Sequence, residues 1–293
     1  MRCRAMQSMK TRSGLAGLAF FSPWLIGFAF LTLYPMIYSL VISFCDVRIK
    51  VSGIELIYVG LRHYIYALRQ DTEFVPDLLD SLFLIATGLP VVLVFSLIIA
   101  LLLNTKFYGR AFFRAVFFLP VIIMSGPVLT QLVTETDAMK LTMDYGLLWR
   151  YLRIFIGSPS VKYLGIFMDN LIRTMWFSGV QILIFLATLQ KIDRSMYEAA
   201  SIDGATGWEM FWRITLPHLR PTIVITAVYT IVEMSAGSSD PTNVNIIAHL
   251  REVHRPYSYS AAMSWIFALA QLLLIGVTAL ILVEREGRRR SYR

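Results

Sequence analysis

From Leu15 to Phe44 the chain runs for thirty residues without a charged side chain. The stretch follows a basic start, MRCRAMQSMKTRSG, which is the arrangement of a secretory signal. A cleavable signal, however, has an apolar core of only roughly 7–15 residues, whereas a helix needs at least about 17 to cross a bilayer. The run is therefore predicted to be an uncleaved membrane span. Composition agrees: 57% of the 293 residues are hydrophobic and 16% are charged, against about a quarter charged in a soluble domain. The net charge of +8 raises nucleic acid as a partner, but no basic helix or aromatic-basic RNA motif accompanies it. No nucleic acid is expected, and basic inner loops of a membrane protein account for the excess. Cys3 and Cys45 fall at opposite ends of the first span, too far apart across a bilayer about 30 Å thick to bond.

The expected fold is an all-α integral membrane protein of six transmembrane helices, because in lipid every backbone amide must bond internally. The predicted spans are Leu15–Phe44, Leu82–Leu103, Ala115–Val133, Thr174–Gln190, Pro221–Ser239 and Pro256–Val283, the fifth interrupted by Glu233. Pro23, Pro35, Pro90, Pro120 and Pro127 are expected to kink or break several of them. With the N-terminus inside, segments 1–14, 104–114, 191–220 and 284–293 hold 16 basic residues in 65 positions. The outer segments 45–81, 134–173 and 233–255 hold 11 in 100, so Lys and Arg density places both termini in the cytoplasm. The organisation expected is a cytoplasmic tail over 1–14, a six-span domain over 15–283 and a basic cytoplasmic tail over 284–293.

The outer segments contain Tyr58–Gln70 and Tyr145–Phe155, which mix aromatic, leucine and basic residues at helical spacing. Both read as short amphipathic helices at the outer interface. His63, His218, His249 and His254 are scattered in loops or at interfaces and read as solvated. HLREVH has the wrong spacing for a metalloprotease site, so no metal site is expected. No acid, base or nucleophile constellation forms a catalytic site, and no P-loop is present. The chain is not expected to be an enzyme or to bind a cofactor.

Between the fourth and fifth spans lies a polar loop of unusually definite chemistry. Ser195 with Glu198, and Thr206 with Glu209, have capping-box spacing. Gly204 between them can take the left-handed conformation that closes a helix, and Pro217 is expected to limit the second one. Residues 195–217 thus read as two short helices joined by a glycine turn. In the second, Trp208, Phe211, Trp212 and Thr215 recur at helical spacing and give one aromatic face. That face suits either the membrane surface or a groove on a cytoplasmic partner.

EAASIDGATGWEMFWRITLP resembles the E-A-A, three residues, Gly, nine residues, I-x-L-P signature of ABC importer permeases. The matching positions are Glu198, Ala199, Ala200, Gly204, Ile214, Leu216 and Pro217. Other segments resemble the carbohydrate, maltose-permease-like branch: LYPMIYSLVISF, YVGLRHY, GRAFFRAVFFLP and LATLQKIDRSMYEAASIDGA. After span five the chain departs from that branch, carrying EMSAGSSDPTNVNII where many relatives have TGGGP. The resemblance implies a type I ABC importer permease whose loop is a coupling helix docking into a cytoplasmic ATPase. Trp208 and Phe211 would add apolar contact area there. Glu198 would serve as a capping acid, as a partner for a basic residue of the ATPase, or both. The implied partners are a second homologous permease subunit, two ATPase subunits that bind ATP and Mg, an extracytoplasmic solute-binding protein, the lipid bilayer and a carbohydrate substrate. An ABC importer permease for a non-sugar solute is the alternative.

A substrate path needs polar groups inside the bundle. Asn170, Arg173, Trp176, Ser178 and Gln181 on span four and Glu233 on span five are the candidates, with Ser260, Ser264 and Gln271 on span six. Trp176 would stack on a sugar ring and Gln181 would bond its hydroxyls. Each is equally an interfacial anchor or an interhelix contact, and Arg173 can simply snorkel. Facing the path, Arg173 would favour an acidic sugar.

Overall fold

Helix α1, Phe20–Ser43, meets its surroundings with apolar side chains at every turn, and Phe20, Phe30 and Leu31 are each 70% exposed or more. So large an apolar surface has no place in water, whereas hydrocarbon accepts it. The computed structural model describes residues 20–50, 53–105, 108–109, 111–117, 171, 173–237, 240–250 and 256–290. After α1 come β1 (Cys45–Lys50), β2 (Gly53–Tyr58), α2 (Arg62–Arg69) and α3 (Phe74–Asn104). Next in order are α4 (Gly179–Leu189), α5 (Arg194–Ile202), α6 (Gly207–Met210), α7 (Leu216–Ser235), α8 (Pro241–Leu250) and α9 (Pro256–Arg290). Among the described residues α1, α3 and Tyr257–Leu282 of α9 are long and apolar enough to cross a membrane.

The spans expected at Leu82–Leu103 and Pro256–Val283 lie inside longer helices. α3 begins eight residues earlier, and α9 carries the helix into the expected basic tail as far as Arg290. Span four is less regular: a turn at Ser178 separates residues 173–177 from α4. Residues 118–133 of the third span, Tyr145–Phe155, Asn170, His254, Pro120 and Pro127 lie outside the described residues, as do positions 1–19.

The expected proline breaks do not occur where the helices are described. Pro90 sits inside α3, which continues through it, and Pro221, expected to open the fifth span, lies inside α7. A π-turn at Ala29–Leu33 precedes Pro35, with the Tyr34 amide donating to the Ala29 carbonyl. A π-turn shifts the amide–carbonyl pairing by one residue, so the helix absorbs a residue that offers no amide.

The chain divides into two compact units, one of residues up to Asp80 with Pro241–Ala270, the other Ser81–Asp240 with residues from Gln271. The first contains an antiparallel hairpin in which β1 pairs β2 from Cys45 against Tyr58 to Lys50 against Gly53. An all-helical expectation missed it. Ser258 Oγ accepts from the Val47 amide at 2.9 Å and ties the hairpin to α9. α2 buries His63 and Ala67 and exposes Ile65 and Leu68. His63 is therefore not solvated as expected: it lies one turn before Ala67 on the packed face, near the Tyr259 ring.

Asp71 is the polar centre of this unit. Its Oδ1 accepts from the Glu73 and Phe74 amides at 2.9 Å, capping the entry to α3. Tyr259 donates its hydroxyl to Oδ2, and His249 Nε2 stands 3.9 Å from the same oxygen. Asn245 of α8 donates to Asp77 Oδ2 at 2.7 Å and Thr242 to the Asp77 carbonyl at 3.1 Å. Burial raises the Asp71 pKa, but Tyr259, the two amides and His249 together hold it below the ordinary carboxylate value. A depressed pKa contributes stability above the unfolded value and loses it as pH falls through the folded one. Asp71→Asn is expected to lower stability by about 1 kcal/mol near neutral pH. It should also flatten the loss seen below about pH 4. Thermal unfolding of both chains between neutral and acid pH checks this.

The second unit is built around α4, which buries Ile182, Phe185, Leu186 and Leu189 against Ala100 and Leu103 of α3 and Leu219 of α7. A second apolar cluster joins Ile85, Leu89 and Val92 to Phe177, Ala227, Ile231 and Met234. α7 is thereby packed along its length, with Ile231 and Ala227 fully buried.

Candidate functional site

The polar loop folds from local chemistry. Asp193, not Ser195, caps α5: its carboxylate accepts from the Ser195 amide at 3.1 Å. The expected Ser195–Glu198 box does not form, because a charged acceptor two residues earlier meets the positive helix end first. That amide and the Ser195 hydroxyl hold the Asp193 carboxyl below its usual value. Glu198 and Ala199 are left exposed, and Ala200 is half-buried. α5 closes with the Ala205 amide on the Ala200 carbonyl and the Gly204 amide on Ser201, the two bonds of a Schellman turn. Gly204 has φ +79 as expected, with open space where a Cβ would stand. Any cost of substitution there is therefore backbone strain alone. Gly204→Ala should cost about 1–2 kcal/mol locally, read as roughly tenfold faster hydrogen exchange at residues 199–206. Gly204→Asn should cost less.

Thr206 and Glu209 form the reciprocal box, with the Thr206 amide 2.9 Å from Glu209 Oε2 and the Glu209 amide 3.3 Å from Thr206 Oγ1. Pro217 does not limit the second helix as expected, but sits in the first turn of α7, into which that helix continues. α6 passes through a π-turn at Phe211–Thr215 into α7, with the Leu216 amide on the Phe211 carbonyl. Two residues past that turn comes Pro217, the same spacing as Pro35 after the first π-turn. The extra residue rotates the next helical turn, so Thr215 leaves the aromatic face. It is buried, 2.8 Å from the Tyr197 hydroxyl. Trp208 and Trp212 remain 70% and 48% exposed, packed edge to face at 5.5 Å with Phe211 between them. Ile214 and Tyr197 pack on the cluster of α3, α4 and α7, while Leu216 and Pro217 are half-buried. The loop is thus an exposed aromatic surface fastened from below.

The structure brings Gln181 and Glu233 together. Gln181 Nε2 donates to Glu233 Oε2 at 2.7 Å and to Thr230 Oγ1 at 3.1 Å, joining α4 to α7. Thr230 can accept because its own hydroxyl proton goes to the Thr226 carbonyl. Gln181 is fully buried, and its Oε1 accepts no hydrogen bond among the described residues. Two apolar helices are therefore joined through one carboxylate and one amide, each held by a partner on the other helix. Thr230 carried no sequence motif, although Thr222, Thr226 and Thr230 recur every four residues along one side of α7.

The other candidates do not join this group. Ser178 donates to the Met175 carbonyl at 2.9 Å, and Trp176 packs against the second apolar cluster. Ser264 bonds the Ser260 carbonyl within α9. Arg173 lines a separate cavity of about 340 Å³ with Thr87, Gly88, Thr174, Phe177 and Met234. It feels the charge of Asp240, whose carboxylate also accepts from Ser81 at 2.8 Å. A Cβ on Gly88 would meet the Met234 methyl at 2.5 Å, so the missing side chain makes room for that methionine. Among the described residues no three His, Cys, Asp or Glu side chains converge as metal ligands.

The chain is similar to known proteins over most of its length. The probable ABC transporter permease protein YesP of Bacillus subtilis (strain 168) is 28% identical over 300 residues, covering 94% of this chain and 92% of that protein. The arabinooligosaccharides transport system permease protein AraP of Halalkalibacterium halodurans is 30% identical over 284 residues, covering 89% and 85%. A bacterial ABC transporter involved in the import of the acidic polysaccharide alginate has the same fold. The TM-score is 0.67 at 20% identity, covering 96% of this chain and 99% of that one. A family model described as the inner membrane component of binding-protein-dependent transport systems matches residues 64–291. The chain therefore belongs to the family of binding-protein-dependent transport system inner membrane components.

Proposed function

We propose that this chain is one permease subunit of an ATP-driven carbohydrate importer in the bacterial cytoplasmic membrane, with an oligosaccharide as its substrate. The observation that carries the reading is the continuity of α7. At one end it emerges from the exposed aromatic loop, and near the other it holds Glu233 against Gln181. Its 20 residues span about 30 Å, roughly the hydrocarbon thickness. A rigid element of that length can carry a movement of the loop to the intramembrane polar group.

In this reading six spans cross the membrane with both termini in the cytoplasm. The third, Ala115–Val133, and the half-buried α4 complete the set. Residues 195–217 form the coupling helices, with Glu198, Ala199, Ala200, Trp208 and Phe211 toward the ATPase. Gly204 sets the turn, and Ile214, Leu216 and Pro217 pass the movement to α7. Hydrolysis of ATP with Mg takes place in two partner ATPase subunits. A second homologous permease supplies the other half of the pathway, and a solute-binding protein delivers substrate from outside. The reading is supported by family membership and by sugar permeases among the relatives. Gln181 and Glu233 would meet sugar hydroxyls, and Arg173 would meet an acidic residue of the substrate.

The test is ATP-dependent uptake by the reconstituted transporter, with neutral and acidic oligosaccharides offered through its solute-binding protein. Uptake of an oligosaccharide is expected. Uptake of a non-sugar solute alone would end the carbohydrate reading. Unchanged import of an acidic oligosaccharide by Arg173→Gln would remove the acidic element.

A further inference from the structure

Where the apolar helices α3 and α4 run out, the second unit contains a cavity of about 460 Å³ of a different character. Asn104, Arg114, Gln190, Arg194 and Tyr197 line it, over Leu189 and Ile192. Asn104 is the last residue of α3 and Gln190 the C-cap of α4. The cavity therefore lies where a membrane span gives way to polar loop. Among the described residues two guanidinium groups and no carboxylate line it. Asp193, next to Arg194 in sequence, is turned to the Ser195 amide as the cap of α5.

We propose that this cavity binds the phosphate of an anionic phospholipid, an assignment that rests on the membrane placement proposed above. Arginine presents paired N–H groups that match phosphate oxygens, and the amides of Asn104 and Gln190 and the Tyr197 hydroxyl add neutral donors. Basic pockets between membrane helices at the polar boundary recognise such headgroups. The flanking surface favours a lipid over free phosphate. Leu102, Phe112, Phe113 and Val116, beside Asn104 and Arg114 in sequence, are exposed and apolar, offering a track for acyl chains. Tyr197 packs on the same apolar cluster as Leu189 and Ile192. The floor of the cavity is thus continuous with that apolar cluster. A headgroup held there braces α5 against the end of α3.

The experiment uses the whole transporter in vesicles of equal phosphatidylcholine and phosphatidylglycerol, with retained lipid measured by native mass spectrometry. Arg114→Gln with Arg194→Gln is expected to lower phosphatidylglycerol retention roughly twenty-five-fold, a factor of about five for each charge. Phosphatidylcholine retention should not change, and lysine at both positions should keep most of the effect. Unchanged phosphatidylglycerol, or equal loss of both lipids, overturns the proposal. So does inorganic phosphate binding as tightly as the lipid, which would make the ligand a soluble anion. Release of the ATPase with lipid retained would make the cavity a protein contact. If the double variant does not assemble, photoactivatable phosphatidylglycerol on the unaltered transporter decides: adducts are expected at residues 102–117 or 189–197, and adducts only elsewhere overturn the assignment. None of these readouts depends on sugar uptake, so this proposal and the carbohydrate reading fail separately.

Discussion

Trp208→Ala with Trp212→Ala is expected to weaken association with the ATPase subunits roughly a hundredfold while leaving the chain folded. Trp208 is largely and Trp212 about half exposed, and neither belongs to the apolar clusters of the core. Aromatic side chains standing on a rigid base lose little entropy on docking and commonly contribute about 2 kcal/mol or more each at an interface. The two rings touch at 5.5 Å, so their effects should not simply add. About 3 kcal/mol for the pair is the expected sum, which is the hundredfold stated. Co-purification across a dilution series measures it, with thermal unfolding of the isolated chain expected to shift by less than about 0.5 kcal/mol. An unaltered complex would show that the aromatic face rests on lipid. Glu198→Gln offers a second reading of the same surface, through binding-protein-stimulated ATP hydrolysis. Normal coupling in that variant would reduce Glu198 to an exposed helix residue.

Gln181→Leu should be the most damaging single change inside the bundle. It removes both hydrogen bonds that Gln181 Nε2 donates, to Glu233 and to Thr230. A half-buried carboxylate then loses its charge-assisted bond in a setting with little water. The expected loss of stability is about 3 kcal/mol, and transport should fall at least roughly a hundredfold. Adding Glu233→Leu removes the stranded charge as well. When both partners are replaced by apolar groups of similar shape the cost nearly vanishes, so the double variant should regain stability to within about 1 kcal/mol. Under the proposed function transport should stay lost, because that reading has Gln181 and Glu233 meet the sugar hydroxyls. A double variant that transports normally would make the Gln181–Glu233 pair an interhelix clasp with no part in the path.

The hairpin shows how a readable signal can be passed over. VRIKVS alternates apolar and polar residues up to Gly53, and IELIYV after it is rich in β-branched and aromatic residues, both strand signals. A search for long uncharged runs does not register it, because its charges fall on alternate positions. The Asp193 cap was legible for the same local reason as the Thr206–Glu209 box, yet the serine two residues on has the more familiar motif spacing. The π-turns were not legible. Proline marks a place where helix pairing must fail, but whether a helix ends there or re-registers depends on what holds its far side. In α7 that is the buried face of Leu219, Ala227 and Ile231.

What the sequence determined alone is whatever depends on neighbours along the chain. Uncharged length sets which segments leave water, and side-chain–amide geometry over three or four residues sets the caps, the Gly204 turn and the exposed aromatic surface. What only the tertiary structure decided is which polar groups meet. Gln181 and Glu233 are 52 residues apart, Asp77 and Asn245 168, and Asp71 and Tyr259 188. Nothing in the spacing of a chain specifies such a pair. Packing selects it, since a polar group carried into an apolar bundle is tolerated only where another element supplies its hydrogen bond.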